Sequence, residues 1–313
     1  MSGAGRGSGL LVVGDVVTDV VARHAEPLAA DTDTAARIAV LPGGAGANVA
    51  CWAAHRGAPG VRLLARVGAD SAEWHRGALL AAGVEPALRV DAQQPTAVVI
   101  ALVDAAAERT LVTDSGAAFR LGPADWDEAL LDGVGHVHLS GYLFFCEPGR
   151  ELAALAGKAA RARGLPVSVD PASAGFLRGL GVPRFLDLVS DVDLLLPNAT
   201  EAALLSGRSE PAAAAAELSR RAGTVVVTLG AAGALAAHDG RPMARVPAVP
   251  AAAVDSTGAG DAFTGGLLAS RLAGADLPRS LAAGCEAGAE AVALVGGRPP
   301  HPASNSRPPA AIC

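Results

Sequence analysis

Residues 254–263 read VDSTGAGDAF and place a turn of small residues directly before an acidic one. The turn is Thr257-Gly258-Ala259-Gly260, the acidic residue is Asp261, and an apolar, helix-compatible run follows. Glycines let consecutive N–H groups point the same way, and a helix that begins there adds the positive end of its dipole. The stretch therefore predicts a cradle for an anion, of which phosphate is the usual one.

The aspartate after this cradle suggests catalysis. A carboxylate would repel a phosphate that is merely held there, but it is useful if Asp261 takes the proton from a hydroxyl that attacks the phosphate. The alternative is an ordinary helix N-terminus with an acidic first turn, which is common. The segment alone does not separate the two interpretations.

Composition excludes several classes of protein. Hydrophobic residues make up 51% of the 313 residues and charged residues 18%, which suits one large α/β domain. The net charge of −6 argues against a nucleic-acid or membrane-surface binder, since both need a basic surface. No apolar run reaches the roughly 20 residues that span a bilayer. Four scattered cysteines predict neither a zinc site nor disulfides, which favours the cytoplasm.

Lysine is nearly absent, and this constrains phosphate chemistry. Lys158 is the single lysine among 25 basic residues, and it does not lie in a glycine-rich P-loop. Phosphate groups would therefore be bound by backbone N–H groups, a metal ion and arginine.

Apolar β-like runs alternate with Ala/Leu-rich helical runs along most of the chain. This alternation predicts a mostly parallel sheet covered by helices on both faces. The predicted strands are 10–13, 61–67, 136–139, 166–169, 194–196 and 224–229, and the predicted helices include 48–56, 72–82, 148–163, 211–222 and 261–272.

Three strand-like segments, 16–22, 38–41 and 87–113, fall outside the alternation. Within the last one, 97–103 and 109–113 flank a polar turn and resemble a hairpin. We expect these segments to form a flap over a site, with an edge extension of the main sheet as the alternative. The domain should span 10–297, between a flexible leader at 1–9 and a Pro-rich, disordered tail at 298–313.

A second glycine cluster, PGGAGANVA at 42–50, also precedes a predicted helix. Gly43 and Gly44 allow a ligand to approach the backbone closely, and the Asn48 amide offers a donor and an acceptor to a hydroxyl. Asp19 follows the first strand, where α/β sheets bind ligands. The alternative for the glycine cluster is a plain loop before a helix, and the alternative for Asp19 is a charge exposed to solvent.

Two further turns follow predicted strands. In PNATE at 197–201, Asn198 and Glu201 have the spacing of a capping box, and they would also suit the positioning of hydrated Mg²⁺. In TLGAAG at 228–233, the glycines allow a nucleotide phosphate to lie close, although a bare turn explains them equally well.

These motifs, in this order, resemble those of the ribokinase-like (PfkB) carbohydrate kinase family. GGAGANVA at 43–50 is similar to the first family motif, and DSTGAGDAFTGGLL at 255–268 is similar to the second, which is highly specific. The resemblance extends over about 10–297. It implies a three-layer αβα fold, with a mostly parallel central sheet and a small β lid, and an ATP- and Mg²⁺-dependent kinase. The phosphate acceptor would be a primary hydroxyl of a sugar-like substrate.

The resemblance also implies roles for individual residues. Asp261 would be the catalytic base, the anion hole would consist of Gly258, Ala259 and Gly260, and the acceptor would be bound by Asp19, Gly43, Gly44 and Asn48. Asn198 and Glu201 would organise Mg²⁺ and phosphate, with Glu201 acting through water, and the ATP phosphates would lie against the turn that contains Thr228, Gly230 and Gly233. Asp255 and Thr257 would form part of a loop that binds a monovalent cation, K⁺, in many members.

Some positions depart from the family pattern. Val17 and Ala45 stand where ribokinase proper has Asn and Lys, so we expect ribose to be a poor substrate. A nucleoside kinase of the same fold is the nearest alternative, for which Phe119, Tyr142, Phe144 and Phe145 are the few aromatic candidates to stack on a base. A non-catalytic sensor is less favoured, because Asp261 and its glycines are intact. Exposed lid edges also predict a homodimer.

Overall fold

Strands and helices alternate along most of the chain. The computed structural model describes residues 7–105 and 109–300. The strands in these residues are β1 (Gly9–Val13), β2 (Val17–His24), β3 (Ala36–Gly43), β4 (Val61–Gly68), β5 (Glu85–Asp91), β6 (Ala97–Val103), β7 (Arg109–Asp114), β8 (Val134–Ser140), β9 (Val167–Asp170), β10 (Leu194–Leu195), β11 (Thr224–Thr228), β12 (Ala234–His238) and β13 (Arg241–Val246). The helices are α1 (Ala45–His55), α2 (Ala72–Ala81), α3 (Glu147–Ala162), α4 (Ala174–Leu180), α5 (Val182–Leu188), α6 (Ala199–Ser206), α7 (Pro211–Leu218), α8 (Ala259–Leu272) and α9 (Leu277–Val292).

The central sheet has the strand order β13-β12-β11-β10-β9-β8-β1-β4-β5. Neighbouring strands from β11 to β5 pair in parallel, whereas β12 and β13 continue the sheet as antiparallel strands. Every residue of β1 is buried, as expected for a strand in the middle of a sheet covered on both faces. The prediction of a mostly parallel central sheet is therefore confirmed.

Helices cover both faces of this sheet. Leu11 and Val13 of β1 belong to a core that includes residues of α3 to α7, and the alternate residues Leu10 and Val12 belong to a second core with α1, α2, α8 and α9. This gives the three-layer αβα arrangement that the resemblance implied. In the part of the chain that the structure describes, no helix combines the length and the apolar character needed to cross a membrane.

A separate four-stranded sheet, in the order β3-β2-β6-β7, forms the lid. β6 and β7 pair as an antiparallel hairpin in which Val103 lies opposite Arg109. Residues 106–108 of its turn lie outside the described residues.

One part of the predicted lid segment 87–113 was wrong. Residues 87–91 belong to β5, which pairs in parallel with β4 at the edge of the central sheet. No helix separates β5 from the lid strand β6; the turn between them is held by Asp91, whose Oδ1 accepts from Gln93 N (2.8 Å) and Gln94 N (3.0 Å). Without a helix to mark the boundary, the two strands looked like one ribbon in the sequence.

The ends of the domain also differ from the expectation. Gly9, placed in the leader, is the first residue of β1, and Arg298, placed in the disordered tail, is partly buried and donates from Nη2 to the Gly43 carbonyl (3.2 Å). Residues 7, 8, 299 and 300 are in no helix or strand, and the rest of both predictions concerns residues 1–6 and 301–313, which lie outside the described residues.

Candidate active site

A cavity lies where the carboxyl ends of the parallel strands meet the underside of the lid. It is bordered by residues that directly follow or end β1, β9, β10 and β11, which is the usual ligand position in open α/β sheets. The residues that border it and that the sequence singled out are Val17, Asp19, Gly44, Ala45, Asn48, Phe119, Tyr142, Asn198, Glu201, Thr228, Asp255, Thr257, Gly258, Gly260 and Asp261.

The glycine motif at 255–268 places Asp261 at this cavity. Gly258 is the N-cap of α8 with φ +72°, and a Cβ there would lie 2.5 Å from Gly297 Cα, so the position requires glycine. Asp261 lies in the first turn of α8, and its Oδ2 accepts a hydrogen bond from Asn48 Nδ2 at 2.8 Å. The two glycine motifs, about 210 residues apart in sequence, therefore meet through one hydrogen bond.

Burial raises the pKa of Asp261 to about 7. The Asn48 hydrogen bond lowers this pKa, while the negative charges of Asp15, Asp19 and Glu201 raise it further. A carboxylate with a pKa near neutrality accepts a proton far more readily than an exposed one, and ionised carboxylates are still abundant at that pH. A pKa in this range would suit a general base.

The predicted acceptor residues also border this cavity, with one exception. Asp19 of β2 projects from the lid into the cavity, and Asn48 of α1 is 4% exposed. Gly44, at φ +99°, borders the cavity, but a Cβ on it would lie 2.7 Å from the Asp15 carbonyl oxygen. Gly43 does not border the cavity; its Cα faces the Asp19 carboxylate, which leaves no room for a Cβ. The protein's own packing, rather than a ligand, already requires these two glycines.

The Asn198–Glu201 motif forms the capping box that its spacing predicted. Asn198 Oδ1 accepts from Glu201 N, and Glu201 Oε2 accepts from Asn198 N, both at 2.9 Å. Glu201 is nevertheless 3% exposed and borders the cavity together with Asp170 at the end of β9. The capping interpretation is correct locally, and it also places a buried carboxylate at the site.

Asp170 and Glu201 form an acidic pair beside Asp261. Burial raises the pKa of Asp170 well above its usual value, and the charges of Glu201 and Asp261 raise it further. Burial also raises the pKa of Glu201, against the lowering effect of its Asn198 hydrogen bonds. Carboxylates that repel one another in this way favour the binding of a divalent cation that prefers oxygen ligands, such as Mg²⁺. Among the described residues, however, no three His, Cys, Asp or Glu side chains already converge as a metal-binding group.

Only part of the TLGAAG turn reaches the cavity. Thr228 at the end of β11 borders it, whereas Gly230 and Gly233 lie in the turn beyond. Gly233 has φ +91° and packs against the Val246 carbonyl, so this glycine is required by the turn itself. Ala259 likewise does not border the cavity, although both of its neighbours, Gly258 and Gly260, do.

Asp255 and Thr257 form a tight local turn next to the cradle. Asp255 Oδ1 accepts from Thr257 N (2.9 Å) and Thr257 Oγ1 (2.6 Å), and Oδ2 accepts from Gly296 N (3.1 Å). Arg23 of the lid strand β2 also places its guanidinium 3.7 Å from Asp255 Oδ2. The carboxylate thus has a positive partner within the protein.

Comparison with known proteins identifies the family. Residues 8–304 match the pfkB family of carbohydrate kinases. The chain belongs to this family. It is 34% identical over 285 residues to a fructokinase from Klebsiella pneumoniae, a match that covers 87% of each chain.

Solved structures show the same fold. An adenosine kinase from Sinorhizobium meliloti superposes with a TM-score of 0.84 at 24% identity, and the match covers 94% of this chain and 96% of the other. A candidate ribokinase II from E. coli, solved in complex with ATP and Mg²⁺, gives a TM-score of 0.81 at 25% identity, covering 92% and 94%.

Two features of this PfkB kinase were missed in the sequence. Asp170 directly follows a correctly predicted strand, so the strand-end argument that selected Asp19 could have selected it too. Phe176 of α4 stacks on Phe145 at a centroid distance of 5.0 Å and packs edge-on against Tyr142 at 5.7 Å. Tyr142 and Phe145 were named as aromatic candidates, but the local sequence does not indicate that Phe176 joins them, because it comes from a separate segment.

Proposed function

We propose that the protein transfers the γ-phosphoryl group of ATP to a primary hydroxyl of a sugar. The observation that carries this proposal is the Asn48–Asp261 hydrogen bond inside a cavity. It joins the predicted acceptor residues to a helix N-terminus that suits a phosphate group. The family membership and the 34% identity to a fructokinase support the same reaction class.

The side chains suggest how the reaction would proceed. Asp19 and Asn48 would hold the acceptor by its hydroxyls, and ionised Asp261 would remove the proton from the attacking hydroxyl. Asn48 anchors Oδ2 of Asp261, which leaves Oδ1 for the substrate. The N–H groups at the start of α8, which have no partner within an α-helix, would stabilise the charge that develops on the transferred group.

Asn198, Glu201 and Thr228 would form the nucleotide side of the site, together with the turn that contains Gly230 and Gly233. Asp170 and Glu201 would hold Mg²⁺, directly or through water, and the ion would neutralise the phosphate oxygens during transfer. A K⁺ ion at Asp255 and Thr257 is less necessary here, because Arg23 already places a positive charge beside Asp255, next to the start of α8. Equal activity in K⁺ and Na⁺ buffers would show that Asp255 and Thr257 do not hold a required potassium ion.

A nucleoside is the second candidate for the acceptor. Phe119 and Tyr142 border the cavity, and both pack edge-on against Phe176, at 6.3 and 5.7 Å between ring centroids. Such rings could stack on a base. Phe144 is not part of this cluster, because it is buried in the core against Phe185. The cluster that contains Phe176 gives the nucleoside alternative a specific basis.

An ADP-release screen over pentoses, hexoses, sugar phosphates and nucleosides would test both candidates. Val17 and Ala45 border the cavity with apolar side chains, so a ribose hydroxyl there would lack a partner, at a cost of about 1–3 kcal/mol. We expect a sugar other than ribose to have the highest kcat/KM. Ribose as the best substrate would contradict this interpretation, and a complete lack of ADP release would contradict the kinase proposal.

The outer face of the lid supports a homodimer. Val40, Val20, Ile100 and Val112 lie opposite one another on four adjacent strands and form one apolar row. Val40 is 56% exposed and Val112 is 55% exposed. Such a patch is a common protein interface. Light scattering of the wild type should show a dimer. Ile100→Asp should dissociate it, whereas the control Met243→Asp, on the exposed strand β13, should leave it intact. A monomeric wild type would contradict the dimer.

We also propose a cytoplasmic location. Cys51, Cys146 and Cys285 are free thiols, as expected in the reducing compartment that also holds ATP.

A further inference from the structure

Residues 296–298, which begin four residues beyond the end of α9, contact both glycine motifs, 43–50 and 255–268. Gly296 N donates to Asp255 Oδ2 (3.1 Å), and the Gly297 carbonyl accepts from Trp52 Nε1 in α1 (2.9 Å). A Cβ on Gly297 would collide with the Asn48 amide, and one on Gly258 would collide with Gly297. The segment thus packs against both the acceptor motif and the catalytic motif.

Arg298 ends this segment with a charge placed behind the acceptor residues. Its Nη2 donates to the Gly43 carbonyl at 3.2 Å. Its Nε and Nη1 are buried and have no hydrogen-bond partner within residues 7–105 and 109–300. A guanidinium buried to this degree needs a negative charge nearby.

Asp19 is the group that can supply this charge. Burial lowers the pKa of Arg298, and Cys51 and Asp19 oppose that effect. Burial raises the pKa of the Cys51 thiol, however, so this group is uncharged at neutral pH. Asp19, whose carboxylate packs against Gly43, remains as the counter-charge.

We propose that Arg298 is a positioning residue of the acceptor site, where it holds the Gly43 carbonyl and offsets the repulsion that Asp19 experiences from Asp15 and Asp255. This role rests on the proposed function, since it assigns acceptor binding to Asp19. Arg298 does not border the cavity and touches no reacting group.

The charges around Asp19 give the proposal a measurable signature. Burial raises the pKa of Asp19 to about 6, Asp15 and Asp255 raise it, and Arg298 lowers it; Asp261 is a further negative charge close by. Asp19 accepts hydrogen bonds best when ionised, so acceptor binding should weaken as the pH falls through about 6. Loss of the Arg298 charge should move this transition to higher pH.

The first test measures Asp19 directly and needs no substrate. The carboxyl ¹³C signal of Asp19, assigned with Asp19→Asn, would be titrated in wild type, Arg298→Met, Arg298→Lys and the control Arg208→Met, which removes a 61% exposed arginine side chain. Arg298→Met should raise the pKa of Asp19 by roughly one pH unit, whereas Arg298→Lys and Arg208→Met should leave it near the wild-type value. If Arg298→Met does not fold, Arg298→Gln removes the charge and keeps a donor for Gly43.

The second test uses the acceptor with the highest kcat/KM in the screen. Arg298→Met should raise the acceptor KM several-fold at pH 7, about twofold of it through the smaller ionised fraction of Asp19 and the rest through the lost hydrogen bond to Gly43. The effect on kcat should be smaller, and the twofold part should be recovered at pH 8.5. A general packing defect would persist at both pH values and would not be rescued by lysine. An unchanged Asp19 pKa in the charge-free variants would overturn the proposal, even if no acceptor were found and the proposed function itself failed.

Discussion

Helices α1 and α8 both begin directly after a glycine turn, yet their N-termini have different fates. At α1, Asp15 Oδ2 accepts from Ala45 N (2.8 Å) and Asp15 Oδ1 from Gly46 N (3.1 Å), so a carboxylate of the protein occupies the anion site. At α8, no side-chain oxygen in the described part of the chain accepts from the first-turn N–H groups, and Gly260 faces the cavity. One cradle is filled internally, and the other is open to a ligand.

The difference shows how one local pattern serves two purposes. Asp15 lies two residues after β1 and also accepts from Ser140 Oγ at 2.9 Å, so it fixes α1 against the sheet. The aspartate of the other motif, Asp261, belongs to α8 itself and turns toward Asn48 on α1. The filled cradle thus holds in place the helix that carries the partner of the proposed base.

The largest expected effect comes from Asp261→Asn. Asparagine keeps the size and the hydrogen bonding but cannot accept the proton, so kcat should fall by about 10²–10⁴. ATP binding should be unchanged or slightly tighter, because a negative charge near the phosphates is removed. Steady-state kinetics with ATP titration, and thermal unfolding as a check on folding, would measure both.

Asp276→Asn is the matched control for this change. Asp276 is the N-cap of α9 and accepts from Arg279 N at 3.0 Å, a role that asparagine fills nearly as well. Its activity should equal that of wild type. If folded Asp261→Asn kept more than about a tenth of the wild-type kcat, Asp261 would be a helix residue without the general-base role.

Asp15→Ala should mainly reduce stability. It removes the acceptor of two backbone N–H groups and of the Ser140 hydroxyl, and two of these three hydrogen bonds are buried and one is part-buried. The free energy of unfolding should fall by about 2–4 kcal/mol in urea titrations, compared with about 1 kcal/mol for Asp276→Ala at an exposed cap. Equal losses in the two variants would mean that the α1 cradle is not a special stabilising contact.

The sequence predicted most of the residues that border the cavity, but few of the residues that pack behind them. Asp19, Asn48, Asn198, Glu201, Thr228 and Asp261 all border one cavity, because strand ends and helix starts gather at the same edge of a parallel sheet. Whether each residue performs its proposed role stays a prediction. Gly43, Gly230 and Gly233 lie outside the cavity. Glycine is required at Gly43 and Gly233 by packing against the protein itself, and it is favoured at Gly230 by a φ of +56°.

Contacts between segments that are distant in the chain could not be predicted from the sequence. Arg298 lay in a stretch whose composition indicated disorder, and only its contact with Gly43 shows it to be ordered. Strand β5 was assigned to the lid because no helix follows it, and its pairing with β4 could be seen only in three dimensions. Patterns of local sequence identify elements and strand ends, but not which distant residue completes them.

Gly260 and Gly258 allow the open cradle to be tested separately from the fold. A Cβ on Gly260 would meet no atom within 4 Å and would project from the exposed first turn, whereas one on Gly258 would collide with Gly297 at positive φ. Gly260→Ala should therefore keep or slightly raise the melting temperature while lowering kcat/KM about tenfold or more. Gly258→Ala should lower the melting temperature as well. Full activity in Gly260→Ala would show that no ligand group approaches this turn.

The smallest expected effect is a pH-dependent difference in stability between wild type and Asp261→Asn. The pKa of Asp261 is raised from 3.8 to about 7 in the folded protein, so the folded state disfavours the ionised carboxylate. The stabilisation from the protonated form is fully present below about pH 4 and is lost as the pH rises through about 7. Asparagine has no proton to lose, and Asp19 titrates in both proteins. The melting temperature of the variant relative to wild type should therefore increase by about 2–6 °C from pH 5 to pH 8. The control variant Asp276→Asn, at a helix N-cap, should show no such trend in melting temperature. If the difference in melting temperature between Asp261→Asn and wild type were the same at all pH values, the folded protein would stabilise the ionised Asp261 as well as it stabilises Asp276.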